Sequence, residues 1–184
     1  KRTQIIGKAS LEIIEGLTWN ANYSYLNAQH TYSAYNTRNS QLEGLSSKNG
    51  QAKRNTYFGK EHTFETYGNF ERTFAEAHKV NLMAGYSWEE RKNNDGFGLT
   101  VHDFYNDDLL WNNLTYASTI DGIPAIEIGT KQHIRNISFY GRLSYSYNSR
   151  YMFQATVRRD GSSVFGKDNR WATFPSFSAA WNIT

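Results

Sequence analysis

Few residues of this chain are spaced for chemistry. The run Gly161-Ser162-Ser163-Val164-Phe165-Gly166-Lys167 fits the first seven places of a phosphate-binding loop, in which backbone amides and a lysine cradle phosphate. The next place is Asp168. A carboxylate there replaces the hydroxyl that magnesium needs and repels phosphate, so the run reads as a compact turn with Gly161 and Gly166 free to take positive φ. The five histidines (His30, His62, His78, His102 and His133) share no ligand spacing, and the chain has no Cys, so no metal site is expected. Asp103, Asp107, Asp108 and Asp121 fall in one region but lack an Asp-x-Asp-x-Asp-Gly calcium frame. No catalytic set of Ser, His and Asp or of paired carboxylates can be assembled, and no enzyme activity or cofactor is expected. Asn22, Asn113, Asn136 and Asn182 begin N-glycosylation patterns that read as chance.

One stretch differs from the rest. From Asp103 to Tyr116, aromatic residues alternate irregularly with Asn and Asp. Rings that stack and amides or carboxylates that hydrogen-bond can hold a ligand or anchor a partner protein. They can equally pack the segment onto itself. Phe104, Tyr105, Asp107, Asp108, Trp111, Asn112 and Tyr116 are the candidate contact residues.

The elements that carry these residues have a period of two. In Ile137–Tyr147, the residues Ile137, Phe139, Gly141, Leu143, Tyr145 and Tyr147 alternate with Ser138, Tyr140, Arg142, Ser144 and Ser146. Tyr151, Phe153, Ala155 and Val157 continue the pattern, as do Phe177, Ala179, Trp181 and Ile183. Upstream it recurs through Ile5–Ile13, Leu17–Tyr25, Phe64–Phe74 and Val80–Trp88. Alternation means β-strand, because successive side chains point to opposite faces. One face is apolar and aromatic; the other carries Asn20, Asn22, Glu65, Asn69, Glu71, Asn81, Arg142, Gln154 and Arg158. Arg72 on the apolar face and Leu26 and Met83 on the polar one break the rule.

About seven strands result, joined by connections of alternating length. Glu15-Gly16, Ala75 to His78 and Asn148 to Arg150 are tight, whereas 27–55, 92–133 and 160–171 are long. Short turns at one end and long loops at the other mark an outer-membrane meander, and a β-sandwich has no reason to sort its loops this way. Aromatics gather near both strand ends, with Tyr23, Tyr25, Tyr86 and Trp88 at one and Phe70, Phe74, Tyr145, Tyr147 and Tyr151 at the other. A soluble sandwich or carbohydrate-binding module, and a small eight-stranded barrel of structural type, remain alternatives. Burial of Trp19, Phe70, Tyr86, Phe139, Phe153 and Trp181 decides against the sandwich if they stay exposed.

Composition agrees. The 184 residues include 13 Tyr, 11 Phe and 5 Trp, yet mean hydropathy is −0.70 and no apolar run is long enough for a transmembrane helix. The net charge of +3 is dispersed, so no nucleic-acid surface is expected. The chain starts without Met or a signal-peptide core and stops inside a strand pattern, so a piece of a longer protein is expected.

The segment from Tyr151 to Ile183 resembles the SusC/RagA family of TonB-linked outer-membrane proteins of Bacteroidetes. The resemblance is carried by Arg159-Asp160-Gly161-Ser162-Ser163, Phe165-Gly166, Asn169-Arg170-Trp171, Phe174-Pro175-Ser176 and Trp181. It is looser through Ser138–Tyr147 and Asn20–Tyr25, and Ala180 departs from the Gly more usual before the Trp. It implies an all-β antiparallel meander forming an open segment of a barrel of about 22 strands. It also implies oligosaccharide or peptide import, a SusD-like surface lipoprotein as lid, the TonB complex acting through regions outside this segment, and contact with outer-membrane lipid. The whole of 1–184 would then belong to one receptor barrel domain. Arg159, Asp160, Gly161, Ser162, Ser163, Asn169, Arg170 and Trp171 are expected to be structural, fixing a strand return.

Overall fold

A computed structural model describes residues 1–41, 49–93, 95–117, 125–128 and 130–183. Among them are nine strands: β1 (Arg2–Ile14), β2 (Leu17–Asn36), β3 (Gln51–Phe74), β4 (His78–Asn93), β5 (Phe97–His102), β6 (Ala125–Ile128), β7 (Gln132–Tyr147), β8 (Tyr151–Ser162) and β9 (Trp171–Trp181). Seven of them form an unbroken path, β1-β2-β3-β4-β7-β8-β9, and β5 and β6 branch from β3. The fold is all-β, antiparallel where the register is resolved, and the sheet is open: β1 and β9 do not pair with each other. No helix among the described residues is long and apolar enough to cross a membrane.

The strands outrun the alternation. β2 has 20 residues and β3 has 24, against the about 9–11 that a tilted strand needs to cross a bilayer. The long connections are correspondingly shorter than 27–55, 92–133 and 160–171. β2 continues to Asn36 and β3 already begins at Gln51; β5 and β6 occupy the second connection; β8 runs through Ser162. The reason is chemical. Where neither face contacts an apolar medium, polar residues such as Gln29, Thr31 and Ser33 extend a ladder without any apolar period, because the hydrogen bonds are made by the backbone alone.

The turns have a simple basis. Ala75-Glu76 and Asn148-Ser149 each place two successive residues at positive φ (46° and 55°, 49° and 53°), the mirror-image turn whose twist matches antiparallel strands. Gly16 (φ 82°) is required twice over, because a Cβ there would also lie 2.4 Å from the carbonyl oxygen of Glu71.

Two compact units divide the chain. One comprises Gln4–Leu26, Glu61–Arg91 and His133–Thr184, and the other Lys1–Thr3, Asn27–Lys60 and Lys92–Gln132. In the first, rings line one face: Tyr86 lies 5.2 Å from Phe139 and Phe139 stacks on Trp171 at 6.2 Å. Tyr151 stacks on both Tyr147 (6.5 Å) and Trp181 (6.2 Å). Trp19, Phe139, Phe153 and Trp181 are exposed and Phe70 and Tyr86 half-buried, so none is enclosed by a second sheet. That removes the soluble sandwich. Arg72 lies with its guanidinium 5.4 Å from the Phe74 ring. The second unit holds the only tight apolar cluster among the described residues: Ala52, Val101 and Phe104, backed by Tyr35, Leu99, Trp111, Leu114 and Ala117.

Candidate functional site

Three groupings carry the polar chemistry. The first is the polar face of the unit containing β7 and β8. Charged and polar residues of four strands interlock there. Arg91 donates to Glu61 (3.2 Å) and Glu89 (2.5 Å), the Asn136 amide donates to Glu89 (3.0 Å), and Ser162 Oγ donates to Asn136 (2.7 Å). Arg158 donates to Asp160 (2.8 Å) and to Ser138 Oγ (3.1 Å). Nearer the tight turns, Glu71 accepts from Lys79 (2.8 Å) and Asn81 (3.1 Å). A recess of about 540 Å³ is lined by Thr18, Asn20, Glu65, Asn69, Tyr140 and Arg142, among others, and the Tyr140 hydroxyl donates to Glu65 at 2.8 Å. Met83 lines the same recess, which accounts for its place on the polar face. Such a face is built for water or a polar filling, and the ring-bearing face for hydrocarbon.

The second grouping is the Asp103–Tyr116 segment. Phe104 is buried at 4% exposure, its ring edge-on to Tyr35 at 5.2 Å, and Trp111 packs against the same cluster. Asp107 accepts from the Tyr35 hydroxyl (2.7 Å) and the Arg38 amide (3.1 Å), and Arg38 Nη1 donates to the Tyr105 carbonyl (2.7 Å). Burial and the neighbouring Asp107 carboxylate push the Tyr35 phenol well above its ordinary pKa. Phe104, Asp107 and Trp111 thus hold the segment to the end of β2. Tyr105 (78% exposed), Asp108, Asn112 and Tyr116 face outward and leave an open surface. No group of three or more His, Asp or Glu among the described residues is placed to hold a metal. Asp121 lies outside the described residues.

The third grouping is the Arg159–Trp171 motif, and here two sequence expectations are corrected. Asp160, Gly161 and Ser162 are the end of β8, not a turn, and the return is made by 163–170. Neither Gly161 nor Gly166 takes positive φ. Gly161 is needed for space instead: its Cα pairs with that of Trp171, and a Cβ there would lie 2.8 Å from the indole. The guanidinium of Arg159 sits 5.4 Å from the same ring. Ser162 N donates to the Arg170 carbonyl (3.0 Å), Ser163 N to the Arg135 carbonyl (2.9 Å) and Asn169 N to the Gly166 carbonyl (3.0 Å), which closes the return.

Sequence reasoning passed over one cluster. Glu90 accepts from both His133 Nε2 (2.6 Å) and Arg135 Nε (3.0 Å), although all three share the strand parity of the aromatic face. Only the pairing of β4 with β7 brings them together.

Comparison with known proteins points one way. Residues 5–184 match the family model described as TonB dependent receptor-like, beta-barrel. TonB-dependent receptor P39 of Formosa agariphila is 26% identical over 189 residues, covering 98% of this chain. Its P3 counterpart is 34% identical over 119 residues, covering 65% of this chain. TonB-dependent receptor SusC of Bacteroides thetaiotaomicron is 57% identical over 47 residues, covering 26%. Among solved structures, that of the RagAB peptide transporter aligns over 97% of this chain with a TM-score of 0.85 at 23% identity, a likeness of fold. The chain spans 5–17% of the length of these curated relatives and 19% of the chain in that structure.

Proposed function

Because the chain belongs to the TonB-dependent receptor β-barrel family, we propose that it forms part of the wall of an outer-membrane transporter that imports oligosaccharides or peptides. The tight turns face the periplasm. The long connections face outside, where they meet substrate and a SusD-like surface lipoprotein that closes over the barrel. TonB acts through parts of the protein outside this segment. Tyr105, Asp108, Asn112 and Tyr116 form the outward contact surface, and Phe104, Asp107 and Trp111 support it from beneath.

One observation carries the reading. The same strands present exposed, mutually stacked rings on one face and hydrogen-bonded charges on the other. A lipid exterior and an aqueous or protein-filled interior satisfy both faces at once, and the relatives bear the names of receptors and transporters.

The test uses the full-length receptor in its own cells. Uptake of labelled peptides or oligosaccharides should stop when its gene is deleted and when the proton-motive force is collapsed, and affinity purification should recover a surface lipoprotein. A full-length chain that fractionates with soluble proteins would sink the reading.

A further inference from the structure

The Glu90–His133–Arg135 cluster puts charge on a face that is otherwise apolar. By strand parity that face carries Tyr86, Trp88, Phe139 and Trp171. Within the strands of the unit containing β7 and β8, its fixed charges are Arg72, Glu90, Arg135 and Arg159. Arg72 lies at the tight-turn end. Glu90, Arg135 and Arg159 gather at the other end, around the stack of Phe139 on Trp171.

Height along the strands decides which layer of a membrane these groups meet. β7 and β8 pair from Tyr147↔Tyr151 onward, and those two rings mark the tight-turn rim. At about 3.4 Å per residue and a tilt of about 40°, Arg159 stands about 21 Å above Tyr151 and Arg135 about 31 Å above Tyr147. An apolar band about 25 Å tall therefore ends between them. Arg159 reaches up to that boundary: its guanidinium lies 5.4 Å from the ring of Trp171, whose Cα pairs with that of Gly161, beyond Arg159 on the strand.

The charges there do not cancel. The Glu90 side chain is 13% exposed, against 43% for His133 and 59% for Arg135, so the acid lies beneath and the cations outside. Glu90 engages Arg135 through Nε alone, and the terminal nitrogens of Arg135 make no hydrogen bond among the described residues. The Arg159 guanidinium has the indole beside it and no carboxylate among the described residues. Two guanidiniums against one carboxylate leave a net positive charge whatever the protonation of His133.

We propose that Arg135 and Arg159 bind the phosphorylated headgroup of a lipid in the outer leaflet, with its acyl chains lying on the rings below. The inference rests on the transporter reading, which sets the end of the strands that faces outside, and it adds a ligand that is not cargo. Place and charge together select the ligand. An arginine fork meets phosphate oxygens two at a time, whereas an uncharged sugar leaves the positive charge unanswered. A soluble anion offers nothing to the exposed rings of Phe139 and Trp171. A phosphorylated lipid supplies the charge at the boundary and the hydrocarbon directly under it.

Full-length receptor is purified from outer membranes in dodecyl maltoside, a detergent without phosphate. It is titrated with diphosphoryl lipid A, with lipid A stripped of both phosphates, and with inorganic phosphate as competitor, and bound lipid is counted by native mass spectrometry. The variants are Arg135→Gln/Arg159→Gln, each single change, and Arg72→Gln as the same chemistry at the opposite rim. Heat-dependent mobility on SDS gels checks the folding of each and reports, independently of any lipid, whether a barrel exists; the single changes keep the test open where the double variant does not fold. The expected result is binding of diphosphoryl lipid A at least tenfold tighter than of the stripped form. That preference should be lost in the double variant, reduced in each single one and kept in Arg72→Gln. Equal binding of the two lipids, or an equal loss in Arg72→Gln, overturns the site and leaves the transporter reading intact. Displacement of the lipid by millimolar inorganic phosphate assigns the arginines to a soluble anion and overturns the lipid assignment. A full-length chain with no heat-modifiable barrel overturns the transporter reading itself.

Discussion

Gly161→Ala is the substitution whose effect follows most directly from the geometry. A Cβ at 161 would stand 2.8 Å from Cε3 and Cζ3 of Trp171 and 2.9 Å from Cδ2, whereas ordinary contact begins near 3.4 Å. The indole must therefore slide or tilt by about half an ångström, as overpacking requires. It is held by the stack on Phe139 (6.2 Å) and by the Arg159 guanidinium (5.4 Å). Overpacking of this kind costs about 1–3 kcal/mol. Replacing a strand glycine returns about 0.5–1 kcal/mol, so the net loss should lie in the range of about 0–2.5 kcal/mol, centred on about 1 kcal/mol. Trp171→Ala alone should lose a ring stack and a cation–π contact, about 1–2 kcal/mol together. Once the indole is gone the extra methyl has nothing to meet. In the Trp171→Ala background, Gly161→Ala should then be neutral or stabilising, which gives a coupling of about 2 kcal/mol. The assay is urea unfolding of the full-length receptor in bilayers, followed by gel mobility for the four members of the cycle. Effects that add to within about 0.5 kcal/mol would refute the close approach of Gly161 to Trp171.

Phe153→Lys should destabilise the barrel by about 2–4 kcal/mol if that face meets hydrocarbon at mid-depth, and Gln154→Lys by less than about 1 kcal/mol; unfolding in bilayers separates the two. Phe104→Ala removes the buried ring that packs on Ala52 and Val101 and should cost about 3 kcal/mol locally, seen as faster protease cleavage within 103–117 on intact cells while heat modifiability is kept. Ala75→Asn with Glu76→Gly replaces two residues held at positive φ (46° and 55°) and should raise stability by about 1 kcal/mol, read as a higher urea midpoint. Tyr35→Phe leaves Asp107 with only the Arg38 amide as donor among the described residues and should cost about 1 kcal/mol, measured by hydrogen exchange of Arg38 and its neighbours.

The strands were legible where a face is apolar and hidden where it is not. Phe139, Gly141, Leu143 and Tyr145 announce β7 because every second residue must suit one medium. The far halves of β2 and β3 carry no such period, since backbone hydrogen bonds alone hold them, and nothing in residues 29–36 distinguishes strand from loop. The tight turns were found from their brevity. The role of Gly161 was misread, because glycine serves both positive φ and close approach and only the partner strand tells which. Within the Asp103–Tyr116 segment, composition identified an unusual region but could not rank its rings. Phe104 turns inward and Tyr105 outward because Val101 and Ala52, distant in sequence, supply the cover. Glu90 with His133 and Arg135 arises from a pairing between strands far apart in the chain, which no single-sequence pattern encodes.

The pleat also sets which length changes the molecule can absorb. β8 pairs residue for residue with β7 from Tyr147↔Tyr151 to Asn136↔Ser162. One inserted residue within that ladder would send every later side chain through to the opposite surface, carrying Arg158 and Asp160 into oil and Val157 into water. Two inserted residues would restore the sides and merely lengthen the hairpin. Insertions and deletions inside the wall should therefore be tolerated in even numbers, while a change of length between Ser163 and Arg170 leaves the sides of β8 unaltered and costs only the hydrogen bonds that close the return.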